Sequence, residues 1–326
     1  MCRQAFLCSP SSPLKLLGFM SNKRLRADLG LLLCALIWGA TFVVVKDALA
    51  DVSVAVYIAV RFALSAAVMG ILFWRSLRGL DRKAIWAGAQ IGVFLLGGYA
   101  FQTTGLKFTT PSKAAFITGS SVVLVPVLLA VFGRRRISAW IWAGALAAFA
   151  GLYYLTVPPE GLAALNIGDP IVFAGAIMFA LHIIFISRHV GEHSSGALSF
   201  LQVATTAVLA TAALPLLAIT RVEQPRWVWS GNLIAAVLIT ALGSTVIGFS
   251  LQTWAQKYTS PSHTAIFISL EPVFAVLTSW LFAREQIGRR IIVGGALILA
   301  GILIAELKAP SPTVPESPDP VVRPAG

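Results

Sequence analysis

Leu251 to Pro272, LQTWAQKYTSPSHTAIFISLEP, repeats an earlier stretch, FQTTGLKFTTPSKAAFITGSSV, that runs from Phe101 to Val122. At this offset of 150 residues, Gln102/Gln252, Thr103/Thr253, Lys107/Lys257, Thr109/Thr259, Pro111/Pro261, Ser112/Ser262 and Ala115/Ala265 are identical. Each copy reads as the end of one apolar helix, a tight turn and the start of another. Lys107 and Lys257 fall where a helix C-terminus favours a cation that reaches toward water. Thr110-Pro111 and Ser260-Pro261 predict an N-cap followed by proline at the first helical position, where the missing N–H is no loss. Capping accounts for the matched residues. It does not account for Glu271-Pro272, which stands inside the following apolar run where the first copy has Ser121-Val122.

Outward from this pair, the composition places the chain in a membrane. Of 326 residues, 57% are hydrophobic and 12% charged, and the mean hydropathy is +0.83. Soluble domains carry about 25% charged residues. The net charge of +12 sits mostly in short segments between apolar runs, so it is a topology signal and no nucleic-acid partner is expected. Cys2, Cys8 and Cys34 have neither metal-ligand nor disulfide spacing. No phosphate loop, HExxH, GxSxG or metal cluster is present, so no cofactor, metal or enzymatic activity is expected.

Ten apolar segments have membrane-spanning length: 29–46, 53–74, 84–104, 112–132, 138–157, 169–187, 196–219, 232–254, 263–282 and 288–306. Residues 1–27 read as an irregular, basic cytoplasmic segment ahead of an uncleaved first span. Residues 309–326, rich in proline, read as an unfolded tail. Arg75, Arg78, Arg82, Lys83 and Arg134 to Arg136 place the N-terminus, and with ten spans the C-terminus, in the cytoplasm.

The repeat extends beyond its opening stretch. Gly144 and Gly151 of the fifth segment answer Gly294 and Gly301 of the tenth, a spacing that sets small residues on one face for close helix packing. A weaker offset of 141 relates Asp28 to Asp169 and Arg61 to Gln202. The chain therefore reads as two five-helix halves, 28–157 and 158–308. Five is odd, so the second half enters the membrane from the opposite side. The expected fold is an all-α membrane protein of ten transmembrane helices arranged as two inverted repeats, an architecture of secondary transporters with a site near the midplane.

Glu271 is the acidic residue well inside a span, about 12 Å deep at roughly 1.5 Å per residue. An ionised carboxylate facing lipid there costs several kcal/mol, so it should face the interior. Two readings stand: a proton- or substrate-binding group, or half of a structural ion pair at a kink made by Pro272. Arg61 lies equally deep and reads as its partner or as a substrate-anion group. His182 suits hydrogen bonding across helices or titration. Gln102 and Gln252 either line a pathway or cap, and Trp38 either walls a cavity or packs.

WGATF (Trp38 to Phe42), Arg61-Phe62, and above all LQTWAQKYTSPSHTAIFISLEPVFAVLTSWLFARE (Leu251 to Glu285) resemble the EamA-type transporters of the drug/metabolite transporter superfamily. AAFITGSSVVLVPVLLAVF (Ala114 to Phe132) and FALHIIFISR (Phe179 to Arg188) are similar to one bacterial branch of it. The resemblance covers about residues 25–306. It implies a multi-pass carrier of the bacterial inner membrane that exports a small metabolite such as an amino acid or related amphiphile. It places Trp38, Arg61, Gln102, His182, Gln202, Gln252 and Glu271 as candidate substrate-binding residues around a central cavity, with Glu271 the candidate for proton coupling. The expected partners are a small-molecule substrate, the lipid bilayer and protons, with the chain a monomer or homodimer. The alternative class is a membrane-embedded enzyme or lipid-handling protein without transport activity. The first half carries Arg134 to Arg136 where family repeats often end in glycine-glutamate, and it lacks Glu-Pro, so any acid-based role is asymmetric.

Overall fold

The computed structural model describes residues 13–109, 111–132, 136–157, 166–283 and 288–308. Helices form wherever the apolar runs predict them: α1 (Pro13–Ala48), α2 (Val54–Leu72), the single turn α3 (Trp74–Leu77) and α4 (Arg82–Leu106). They continue as α5 (Pro111–Gly119), α6 (Ser121–Val131), α7 (Ala139–Thr156), α8 (Gly168–His189) and α9 (Ser195–Ile219). The last group is α10 (Gly231–Leu238), a π-helical segment Ile239–Ile247, α11 (Gly248–Ala255), α12 (Pro261–Ile268), α13 (Glu271–Ala283) and α14 (Arg289–Lys308). Among the described residues there is no strand, only one bridge between Val52 and Trp227.

Among the described residues, seven helical stretches are long and apolar enough to cross a membrane: Asn22–Ala48, Val54–Leu72, Arg82–Leu106, Ala114–Val131, Gly168–His189, Ser195–Ile219 and Gly231–Ala255. Shorter apolar helices, Ala139–Tyr154, Pro261–Leu277 and Ile292–Ala305, occupy the segments expected at 138–157, 263–282 and 288–306. Their outer faces are apolar, with Ile71, Trp86, Phe132, Leu146, Ile219 and Leu303 exposed, as suits lipid rather than water.

Starts are set by local chemistry. Asp81, Ser138, Ser230 and Ser260 cap α4, α7, α10 and α12, each accepting a hydrogen bond from a first-turn N–H. Pro261 follows its cap as expected, whereas Thr110 of the first copy lies outside the described residues. Lys107 is the C-cap of α4, but its ammonium pairs with Glu223 at 3.0 Å. The carbonyls at that helix end are bonded instead by Lys46, at 3.2 Å to Lys107 O and 3.1 Å to Thr109 O.

Three expectations are corrected. The N-terminal segment is helical from Pro13 rather than irregular to residue 27, continuous with the first span. The fourth and ninth segments, expected as unbroken helices, are each divided, at Ser120 and at Ser269-Leu270. The hydroxyl of Ser120 donates to Ile117 O at 2.5 Å and that of Ser269 to Ile266 O at 2.6 Å, a back-bond that bends helices. Pro272 then falls in the first turn of α13, so it begins a helix rather than kinking one.

The helix packing pairs α7 with α14, α4 with both α8 and α9, α2 with α9, α1 with α11 and α13, and α6 with α8. The α7–α14 seam is close-packed. A Cβ on Gly144 would lie 2.6 Å from Gly301 O, and one on Gly301 2.5 Å from Gly144 O, so the backbones touch where the sequence places small residues. Ala145, Ala148, Leu152, Ile298, Ile302 and Ala305 fill the same seam.

Candidate functional site

A cavity of about 70 Å³ lies among α1, α2, α4, α8, α11 and the two broken helices. Its lining follows helical periodicity. Trp38, Thr41, Phe42 and Val45 form one stripe of α1, Tyr99, Gln102, Thr103 and Leu106 one stripe of α4, and Phe179, His182 and Ile183 one stripe of α8. Phe249 and Gln252 enter from α11, Arg61 from α2, Thr118, Gly119 and Ser121 from the first broken helix, and Ile268 and Glu271 from the second.

Six of the seven residues singled out in the sequence, Trp38, Arg61, Gln102, His182, Gln252 and Glu271, line this one cavity. Gln202 does not. It is fully buried behind His182, with Oε1 2.7 Å from His182 Nε2 and its amide donating to Thr253 Oγ1 at 2.9 Å. Its place is that of a support for the histidine, because α9 packs behind the cavity wall. The bond from His182 crosses from α8 to α9, the cross-helix use expected of it.

Arg61 is almost fully buried at 3% exposure. Its Nε donates to Thr245 Oγ1 at 2.9 Å and a terminal nitrogen to Tyr99 OH at 3.1 Å, with the guanidinium 4.6 Å from the Tyr99 ring centroid. The anticipated pair with Glu271 is not formed: among the described residues neither Arg61 nor Glu271 has an oppositely charged side chain within ion-pair distance. The arginine is instead held by two hydroxyls.

The π-helical segment makes this possible. Thr245 Oγ1 donates five residues back to Thr240 O at 3.0 Å, the spacing of a π turn, which recurs at functional sites. The widened turn presents Thr245 to Arg61, lets Ser244 O accept the Trp38 indole N–H at 2.9 Å, and sets Thr240 Oγ1 2.8 Å from Tyr57 OH. No sequence signal marks it beyond the small polar run ITALGSTVI.

Glu271 stands in the first turn of α13, beside the cavity rather than in lipid, and among the described residues its carboxylate accepts no hydrogen bond. The position suits an anion, since first-turn N–H groups are unpaired and the helix dipole is positive there. Gly39 of the WGATF run holds the place, for a Cβ on it would fall onto the Glu271 carbonyl and 2.9 Å from Ala275 N. Gln252 Oε1 is a second buried acceptor without a partner, while Gln102 donates to Thr118 Oγ1 at 3.0 Å.

Sequence reasoning overlooked Thr41, Tyr99, Thr118, Ser121, Phe179 and Phe249, yet the two offsets contain them. Trp38/Phe179, Thr41/His182 and Phe42/Ile183 are pairs 141 apart, while Tyr99/Phe249, Gln102/Gln252, Thr118/Ile268 and Ser121/Glu271 are pairs 150 apart, and all fourteen line the cavity. Aromatic rings close its wall: Trp38 lies 5.2 Å from Phe249, Tyr99 5.4 Å from Phe179 and 6.1 Å from Phe249, and His182 5.6 Å from Phe249.

A family model, the EamA-like transporter family, matches residues 25–157 and again 166–307. An uncharacterized transporter of Archaeoglobus fulgidus is 37% identical over 296 residues, covering 89% of each chain. The uncharacterized transporter YyaM of Bacillus subtilis is 25% identical, covering 87% of this chain and 94% of its own. One solved crystal structure is similar with a TM-score of 0.70 at 21% identity, covering 86% of this chain and 96% of that one, a likeness of fold. Two family matches end to end, an apolar multi-helix architecture and a cavity lined by aromatic and polar side chains agree: the chain belongs to the EamA-like transporter family.

Proposed function

We propose that this membrane transporter is a secondary carrier that exports a small zwitterionic amphiphile through the cavity, by alternating access of two inverted five-helix repeats. The observation that carries the reading is the cavity itself, walled by seven residue pairs at the two repeat offsets. Helix packing obeys the same exchange. α4 of the first half against α8 of the second answers α11 of the second against α1 of the first, and α6 against α8 answers α13 against α1. Such pseudo-symmetry gives two arrangements of similar energy, which is what rocking between two open faces requires.

The breaks at Ser120 and Ser269-Leu270 fall at matching repeat positions and turn the N-termini of α6 and α13 toward the cavity, as discontinuous helices do at transporter sites. Arg61 is a cation without a carboxylate partner, and Glu271 and Gln252 Oε1 are acceptors without donors. A ligand carrying a carboxylate, an ammonium and an apolar body satisfies all three and stacks on the aromatic wall. Glu271, free of a structural bond and in the water-accessible cavity, is the group that exchanges a proton during the cycle. The proposed setting is a bacterial inner membrane with both termini in the cytoplasm.

The test is efflux from liposomes loaded with a pooled metabolite extract, read by mass spectrometry, for wild type, Glu271→Gln and protein-free vesicles. A small set of zwitterions leaving through wild type alone, at a rate set by the pH gradient, supports the reading. Equal efflux by the variant at every pH removes the proton role, and retention of all compounds under every imposed gradient removes the carrier reading.

A further inference from the structure

Away from the cavity, on the outer surface, a groove runs between α2 and α9, lined by Ala66, Ala67, Gly70, Ile71, Trp74 and Phe200. Small residues of α2 form its floor, and Phe200 lies against Gly70, a Cβ on which would meet the ring at 3.3 Å. Ile71 and Trp74 are exposed at its end, by 75% and 45%. There α2 stops at Leu72 and the chain turns into α3, fixed by Phe73 against Gly196 of α9. The groove thus ends at an aromatic ring of the kind that anchors at membrane interfaces.

Two arginines stand over that ring. The Arg78 guanidinium is 3.9 Å from the Trp74 ring centroid and that of Arg75 is 5.5 Å. Both are exposed, and among the described residues neither has a carboxylate within ion-pair distance. Asp81, the nearest acid in sequence, is occupied in capping α4 through Ala84 N at 2.8 Å. Apolar groove, interfacial indole and paired guanidinium groups follow one another in the order acyl chain, glycerol and phosphate.

We infer that this groove is a binding site for one anionic phospholipid, with an acyl chain between Gly70 and Phe200 and the phosphate on Arg75 and Arg78. Charge decides the occupant. A net-negative headgroup satisfies two cations that have no protein counter-charge, whereas a choline or ethanolamine headgroup brings a third cation beside them. A helix from a second copy would fill the apolar part and leave both arginines unanswered.

The test is native mass spectrometry of the full chain, released from detergent micelles containing equal amounts of phosphatidylglycerol and phosphatidylcholine with identical acyl chains. The expected result is one phosphatidylglycerol retained at least tenfold over phosphatidylcholine. Arg75→Gln/Arg78→Gln should lower its retention roughly fivefold per arginine, and Gly70→Leu, which fills the groove and leaves the charges, should lower it as well. Equal retention of the two lipids by wild type, which requires no variant to fold, overturns the inference. So does a preference unchanged in both variants, competition by glycerol phosphate as strong as by the lipid, or a dimer carrying no phosphatidylglycerol.

Discussion

Ser121 and Glu271, 150 residues apart, are each the first residue of the second part of a broken helix, and both face the same cavity. One backbone device is thus used twice with different chemistry. The hydroxyl does not titrate in the physiological range, whereas the carboxyl is an ionisable group that the surrounding protein leaves without a hydrogen-bond partner among the described residues.

Glu271→Gln should therefore separate function from folding. The amide has nearly the same shape and breaks no bond, so the thermal midpoint in detergent should be unchanged or higher. Transport should fall at least tenfold, and its dependence on pH between about 5 and 8 should flatten, since the group proposed to carry the proton is gone. Efflux measured across that range checks both.

Arg61→Lys should be far from conservative. The guanidinium bonds Thr245 Oγ1 and Tyr99 OH at once and lies over the tyrosine ring; an ammonium cannot reproduce that planar arrangement. Hydrogen bonds to a charged group contribute about 1.5–3 kcal/mol each. Substrate efflux should drop on the order of tenfold or more for Arg61→Lys, and by less for Tyr99→Phe, which leaves Thr245 in place.

Gln202→Leu should act from behind the wall. It removes the partners of His182 Nε2 and Thr253 Oγ1, at about 1–3 kcal/mol for buried groups left unsatisfied. A lowered midpoint with measurable transport at low temperature is the expected outcome, read by thermal denaturation beside efflux.

Gly144→Val should splay α7 from α14, since its first added carbon already meets Gly301 O at 2.6 Å. Overpacking of this kind costs about 1–3 kcal/mol, to be seen as a lower midpoint. Gly79→Ala, with nothing within 4 Å of the added carbon, is the control and should change stability by less than about 0.5 kcal/mol.

Glu223, in the connection between α9 and α10, gives a pH signature outside the membrane. Burial pushes its carboxyl up, but the N–H of Ala55, the Lys107 ammonium and the N–H of Val54 together hold it below the ordinary 4.5. Such a group contributes stability above its unfolded pKa and loses it as pH falls through the folded value. The thermal midpoint of wild type should decline as pH drops below 4.5, and that of Glu223→Gln should decline less. Because Lys107 is partly exposed, the difference should shrink in high salt.

Much of the site was legible before folding because helical periodicity and repetition are properties of the chain. The stripe Trp38, Thr41, Phe42, Val45 is a face by spacing alone, and each member of the two offset series points to its counterpart. The apolar lengths, the α7–α14 glycines and the caps at Asp81, Ser138, Ser230 and Ser260 are likewise local facts. What the sequence by itself determined is a polytopic helical membrane protein, its internal repetition and the polar residues held within its spans.

Tertiary structure alone decided how those residues are used. Ser120 and Ser269 stand at breaks in helices that composition would continue, each with its hydroxyl bonded back to a carbonyl three residues earlier, and at the second break Gly39 of α1 packs on the Glu271 carbonyl at the start of α13. Arg61 and Glu271 line one cavity but form no ion pair, for the π-turn hydroxyl of Thr245 and the phenol of Tyr99 hold the guanidinium. Gln202 lies behind the cavity and Gln252 on it. Depth along a helix can be counted from the sequence, but the direction a side chain faces is set by which helix packs beside it.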